Sequence, residues 1–371
     1  MPLLLPRLRH IFLVILLMVV PLSALAKIPP DTWVRMHPAG AGKAQDEPDY
    51  RPYCGVVAGG GYIFYWGGGH MTHGGNDIDA YIPADNKWVQ LTQEENWKNA
   101  DSWDNLTKKQ KEKLDKARHG GWNVPYLSPR GRPLTAHSYS QMTWWANRRR
   151  FCISKSGIWC YDPKKGDADG AWQKVADPIP VSNDAIAPWN LAYDPGLKTL
   201  VSFVGLGHIV GYALNDKLGT WQKRARAKGK NGQEWTEVYS VYDPIHKDHI
   251  VYGAGRWVRI DMQSGQAEDM AQLADIAGSQ PQSFSIVWAP ELKKMLLAAK
   301  LKGELQLWTY DPEKDVWGRF FLEGEGPSKA HARWDTLARD RKTGRYVFVA
   351  AATGAAEQIP ETWAFRLSGA E

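Results

Sequence analysis

The sequence predicts an all-β fold, a six-bladed β-propeller closed by its own N-terminal strand, and three observations predict it. A motif of four short β segments recurs about every 45 to 50 residues. Asp, Pro and Gly turns separate segments rich in β-branched and aromatic residues. The last copy ends one segment short, and a matching segment stands at the other end of the chain. Of 371 residues, 43% are hydrophobic and 23% charged, with 35 Gly, 23 Pro and 19 Trp, which excludes a disordered, collagenous or coiled-coil chain.

The opening copy runs from Cys54 to Leu91 as CGVVAGGGYIFYWGGGHMTHGGNDIDAYIPADNKWVQL. Others start near His137, Asn190, Val238, Phe284 and His331. Their first turns read Tyr193-Asp194-Pro195, Tyr242-Asp243-Pro244 and Trp288-Ala289-Pro290; second turns read Tyr161-Asp162-Pro163 and Tyr310-Asp311-Pro312. The fourth segments carry Trp88, Trp172, Trp221 and Trp317. In the sixth copy the third segment is Glu361 to Leu367, and Asp31 to Met36, with Trp33, repeats the form of a fourth. Pairing the two would seal the ring without leaving a sheet edge. An open sandwich or two separate β domains could use the same strands, but no linker divides them.

Residues 1–26 read as a cleavable leader: Arg7 and Arg9, an apolar run from Ile11 to Leu22, then Ala24-Leu25-Ala26. Cleavage is expected before Lys27, leaving 27–371 as a single propeller domain, secreted or periplasmic. Pro21 interrupts the run short of the roughly 20 residues that a spanning helix needs, so no membrane span is expected after cleavage. The formal charge of +6 includes Arg7 and Arg9, so the mature chain carries +4. That mild bias, in an exported chain, argues against a nucleic-acid partner. The basic runs Arg148-Arg149-Arg150 and Lys223 to Lys230 read as solvated hairpin ends and blade connections.

Outside the cytoplasm thiols tend to pair. Cys152 and Cys160 flank the three-residue loop Lys155-Ser156-Gly157 and would face each other across a hairpin. A disulfide fits if they form a non-hydrogen-bonded pair. Cys54 reads as a small buried apolar residue. The insertion 92–133 carries a helical stretch, Thr107 to His119, with a capping box from Thr107 and Gln110 and a stop at Gly120. It is a candidate lid.

The segment GGG…GGNDIDAY…NKWVQL resembles a kelch motif, with its glycine cluster, Asn-Asp, aromatic and later Trp. The other five copies lack the full glycine pair. A kelch-like or galactose-oxidase-like propeller implies the fold over nearly the whole mature chain and leaves the activity open. Cys54 beside Tyr53 invites comparison with the copper-radical centre of galactose oxidase, but nothing places two further Tyr and two His around it, and that reading is rejected.

Strand direction alternates, so the starts of first strands and the loops between second and third strands meet at one end. First-strand starts bring His137, Tyr139, Trp189, Asn190, Glu237, His331, Arg333 and Asp335. The loops bring His70, His73, Lys155, His208, Arg256, Lys300 and Lys302, and the insertion adds Arg130 and Arg132. Strand alternation puts His137, Tyr139 and Gln141 on one side, and His331, Arg333 and Asp335 on one side. The bland counterpart is that such inner-strand polar groups bond from blade to blade. His70-x-x-His73 with Asn76 and Asp77 has metal-like spacing, but in a Gly-rich loop the rings need not converge; neither metal nor cofactor is expected. There is no Gly-Lys-Ser phosphate loop, no Gly-x-Ser-x-Gly elbow and no Ser-x-Asp-x-Gly-x-Thr-Trp repeat.

A basic, aromatic-rich mouth suits an acidic polysaccharide or oligosaccharide: Trp and Tyr offer flat faces to sugar rings, and Arg forks onto a carboxylate. If there is chemistry, β-elimination fits best, with Tyr139 or His137 as base and acid, Arg333 or Arg256 on the carboxylate and His331 in support. Propeller-built polysaccharide lyases use such residues, an analogy of fold. Arg256, His208, Trp189, Asn190, His70 and His73 are the expected substrate contacts. Hydrolysis has only Glu237 and Asp335 to draw on. The competing reading is a non-catalytic propeller that binds an envelope protein through an apolar rim.

Overall fold

The computed structural model describes residues 28–37, 54–67, 76–93, 107–109, 112, 128, 130–133, 138–155, 157–179, 190–205, 207–229, 238–281, 284–327, 336–351 and 360–368. Strands Gly55–Gly59 (β2), Tyr62–Trp66 (β3), Asp79–Ile82 (β4) and Lys87–Gln90 (β5) form blade 1. Blade 2 is Met142–Trp145 (β6), Arg150–Ser154 (β7), Ile158–Tyr161 (β8) and Trp172–Ala176 (β9). Blade 3 is Ala192–Asp194 (β10), Thr199–Gly205 (β11), His208–Asn215 (β12) and Thr220–Lys228 (β13). Blade 4 is Tyr239–Asp243 (β14), Asp248–Gly253 (β15), Arg256–Ile260 (β16) and Ala267–Asp269 (β17), followed by a short helix, Leu273–Ala277 (α1). Blade 5 is Phe284–Ala289 (β18), Lys294–Leu301 (β19), Glu304–Asp311 (β20) and Val316–Phe320 (β21). Blade 6 is Leu337–Arg339 (β22), Tyr346–Ala351 (β23), Pro360–Phe365 (β24) and Val34–His37 (β1).

All six sheets are antiparallel meanders, and their innermost strands touch in sequence around a closed ring, β22 returning to β2. The seal is the N-terminal segment: Val34 pairs with Ala364 and Arg35 with Trp363. Trp33 lies edge-on to Trp363, with ring centroids 6.5 Å apart, and to Phe365 at 4.7 Å.

Each blade is covered on both faces, so its middle strands are apolar runs rather than alternating ones. In β19, Met295 to Ala299 are all fully buried. The core is accordingly divided into wedges at the seams. Tyr239, Trp257, Phe284 and Trp308 fill the seam of blades 4 and 5, while Phe203, Val251 and Met262 fill that of blades 3 and 4. The Asp residues of the first and second turns cap their own chains: Asp194 accepts from Leu197 N–H, Asp243 from Ile245, Asp311 from Glu313 and Lys314, and Asp340 from Lys342 and Thr343.

The fourth-strand tryptophans tie neighbouring blades. Trp221 Nε1 donates to the Asp177 carbonyl at the end of blade 2, and Trp317 Nε1 to the Ala271 carbonyl at the end of blade 4. Trp88 Nε1 donates to Thr362 Oγ1 of blade 6. Cys152 and Cys160 are paired across β7 and β8 with Cα atoms 4.0 Å apart, the close spacing of a non-hydrogen-bonded antiparallel pair, and are joined by a disulfide. Cys54 is buried and outside any disulfide, and its Sγ–H donates to the Trp66 carbonyl at 2.9 Å.

Three sequence readings shift in detail. Blade 2 begins at Met142 and blade 6 at Leu337, five and six residues after the starts placed at His137 and His331. In blade 2 the difference is a tight turn, in which Gln141 N–H donates to the Ser138 carbonyl and Tyr139 takes a φ of +30°, so strand alternation does not run through residues 138–141. The run Lys223 to Lys228 lies within β13 and is not a blade connection. Arg130 and Arg132 are held by Asp167 and Asp169 in the turn between β8 and β9, not by the loop end of the ring. Of the expected helix in the insertion, Lys108, Lys109 and Glu112 are helical with Thr107 just before them, and the rest lies outside the described residues, as does the leader. Among the described residues no helix is long and apolar enough to cross a membrane.

Candidate functional site

The loop end of the ring is built on blades 2, 3 and 4. The turn Ser138–Gln141 opens blade 2. Ser138 Oγ donates to the Trp66 carbonyl and accepts from Gly55 N–H, fixing the turn to blade 1. Ser140 Oγ donates to the Val238 carbonyl of blade 4, and the Ser140 carbonyl accepts from Asn190 Nδ2 at 3.3 Å and from Leu191 N–H. Asn190 Oδ1 accepts from Ser240 Oγ at 2.7 Å. Asn190 is 2% exposed, and its amide is engaged between blades 2, 3 and 4. Tyr139 stands in the middle of this network, half-buried, in backbone geometry that a non-glycine residue adopts only when its surroundings impose it.

Ser154 N–H donates to the Gln141 carbonyl, which sets the next residue, Lys155, beside the Tyr139 turn. Among the described residues the Lys155 ammonium has no ion pair. Burial pushes its pKa down to about 8.

A second group lies one blade further. His208 opens β12, and burial, then the charges of Arg226 and Lys223, hold its imidazole below the ordinary value. Arg256 opens β16; its guanidinium pairs with Asp269 and donates to the Lys228 carbonyl at 3.3 Å. Gly229 closes the gap between the two loops. A Cβ there would fall 2.5 Å from Ala254 Cβ and 2.5 Å from the Gly207 carbonyl oxygen, so only glycine fits. Lys300 and Lys302, at the β19–β20 loop, add cations that form no ion pair among the described residues.

Of the expected site residues, Tyr139 and Asn190 thus belong to one network, and His208 and Arg256 flank Lys228 in another. His137, His331, Arg333, Trp189, His70 and His73 lie outside the described residues. Lys155 was expected among the loop residues of this end, though not as a substrate contact; the serines Ser138, Ser140 and Ser240 were absent from the expected set, and their sign was their place at first-strand starts. Among the described residues no group of three His, Cys, Asp or Glu is arranged to hold a metal ion.

The opposite end carries a separate buried cluster. Asp248 lies 3.5 Å from Arg259 Nε, and Asp243 lies 2.8 Å from His246 Nδ1 and 4.0 Å from Arg259 Nη1. Burial, with Asp243 and Asp261 nearby, outweighs Arg259 and pushes Asp248 up to about 7. His249, fully buried, is 3.3 Å from Asp194 Oδ2.

No family model matches the chain, and no curated protein matches it. Among solved structures, one described as oligogalacturonate lyase in complex with manganese is similar in fold over 90% of this chain and 93% of that one, at 10% identity and a TM-score of 0.45.

Proposed function

We propose that this protein is an exported propeller, with repeats of the kelch type, that binds an acidic polysaccharide at the loop end of the ring. One observation carries the reading: strand direction puts Lys155 and Lys300, both half-buried, and the exposed Lys302 at the same end of the ring as His208 and Tyr139, with no carboxylate paired to them among the described residues. A cation that is half-buried and unpaired costs stability in the free protein, and a ligand carboxylate offsets that cost. Aromatic side chains interleaved with cations suit a ring with an apolar face and a charged edge.

For chemistry at this end, the residues expected from sequence suit cleavage by β-elimination. A base removes the proton at C5 of the uronate, the C4–O bond breaks, the leaving oxygen takes a proton, and a C4=C5 double bond remains. Tyr139 and His137 are the base and acid of this scheme, and Arg333 neutralises the carboxylate with His331 in support. Arg256, already paired with Asp269, orients the chain through the cation that it retains.

The test is incubation of the mature protein with a panel of uronate polysaccharides, following absorbance of the unsaturated ends and retardation in a glycan affinity gel. Wild type should give both signals, and Tyr139→Phe and Arg333→Ala should lose the absorbance while keeping the retardation. Retardation without absorbance in wild type leaves a binding protein. Absence of both, with capture of an envelope protein instead, would establish the non-catalytic protein-binding reading.

A further inference from the structure

We infer that the outer part of blade 3 is a second anion-binding track, along which a linear acidic polysaccharide lies as it leaves the mouth. The inference rests on the proposed polysaccharide reading and extends it from a pocket to a path. Register defines the track. In the β12–β13 ladder, Tyr212 pairs with Lys223, Val210 with Arg226 and His208 with Lys228, with Arg224 as the extra residue of a bulge. Directly paired residues share a sheet face, so Lys223, Arg226 and Lys228 project on one side. The intervening Ala225 and Ala227 are buried on the other, against blade 4.

The three cations are exposed and recur about every 7 Å, two strand residues per step. Among the described residues none of the three forms an ion pair. Their field reaches His208, whose pKa is lowered by burial and then by Arg226 and Lys223. Of the nearby acids on the adjoining blades, Asp269 on β17 is taken by Arg256, and Asp177, at the end of blade 2 beside Trp221, is paired with Lys174. The partly exposed Tyr212 ring lies across from Lys223. The track ends at the mouth, since Lys228 is followed by Gly229, packed between the loops at Gly207 and Ala254. The simpler role for lysines on an edge strand is to prevent sheets from pairing edge to edge. That role requires neither a single face nor a course into the mouth.

The experiment compares the mature protein with its triple variant Lys223→Gln, Arg226→Gln, Lys228→Gln, whose side chains are all on the surface. Polygalacturonate and its trimer are titrated at several salt concentrations, with thermal unfolding as the check on folding. The expected result is polymer binding weakened about tenfold or more, trimer binding weakened by less than about threefold because Arg226 and Lys228 adjoin the mouth only at His208, and a salt dependence shallower by roughly two to three counterions. Unchanged polymer binding overturns the track, and self-association of the variant would then assign the lysines to edge protection. Polymer binding that depends on the three cations, with no trimer binding by wild type, keeps the track and overturns the mouth. Failure of wild type to bind either ligand overturns both. Preference for single-stranded DNA with the same salt dependence overturns the glycan assignment.

Discussion

Two titrations in this protein carry opposite consequences. At the mouth, burial lowers Lys155 to about 8, so in the free protein the ammonium is lost as pH rises through that value. Affinity for a uronate should therefore fall between pH 7 and 9, and Lys155→Arg, which stays charged, should remove most of that fall; a calorimetric pH series reads it. At the far end, Asp248 is raised to about 7. The folded protein then holds a proton that the unfolded chain releases near pH 4, so stability decreases as pH rises from about 4 to 7, by up to about 1.4 kcal/mol per pH unit. Urea unfolding of Asp248→Asn should show that slope flattened, whereas an unchanged slope would place the titration elsewhere. Neither group announces itself in sequence, because burial is a property of packing. Lys155 was legible as a loop residue, but its depth, and its having no ion pair among the described residues, depend on how blade 2 meets the Ser138–Gln141 turn.

At the scale of the strand, the fourth-strand tryptophans show how an abundant residue divides between structure and function. Trp317 and Trp172 are buried to similar degrees, but only Trp317 has a bonded Nε1; that of Trp172 meets no partner among the described residues. Trp317→Phe should cost about 1 kcal/mol more than Trp172→Phe in chemical unfolding, and equal costs would show that the Trp317–Ala271 bond contributes nothing. The periodic Trp and the Asp turns made the blades legible from the chain alone, since each marks a place where sheet geometry restricts the residue type. The outer run of blade 3 was misread as a connection because its charge hid the alternation of Ala225 and Ala227. Tyr139 was placed by strand alternation, which fails where a turn with positive φ intervenes, and tyrosine is not a turn signal.

For the molecule as a whole, closure was legible because an incomplete last repeat demands a partner, and the segment around Trp33 supplied one. Removing residues 28–37 should leave β24 as a bare edge and expose Phe365 and Trp363, which Trp33 covers. The truncated protein is expected to self-associate in sedimentation and to unfold without a single cooperative transition. A monomer melting like the full chain would show that the seal is dispensable.

Asp31 and Trp33 also exchange backbone hydrogen bonds with Glu323, so the same short segment that finishes blade 6 fastens the exit of blade 5. Its partners stand some three hundred residues downstream. A chain delivered beginning with its amino end therefore presents the clasp first and the part it fastens last. The circle cannot be completed until residues 360–365 have been made or carried across, and throughout that interval an unpaired, aromatic-rich ribbon needs to be kept from neighbouring molecules.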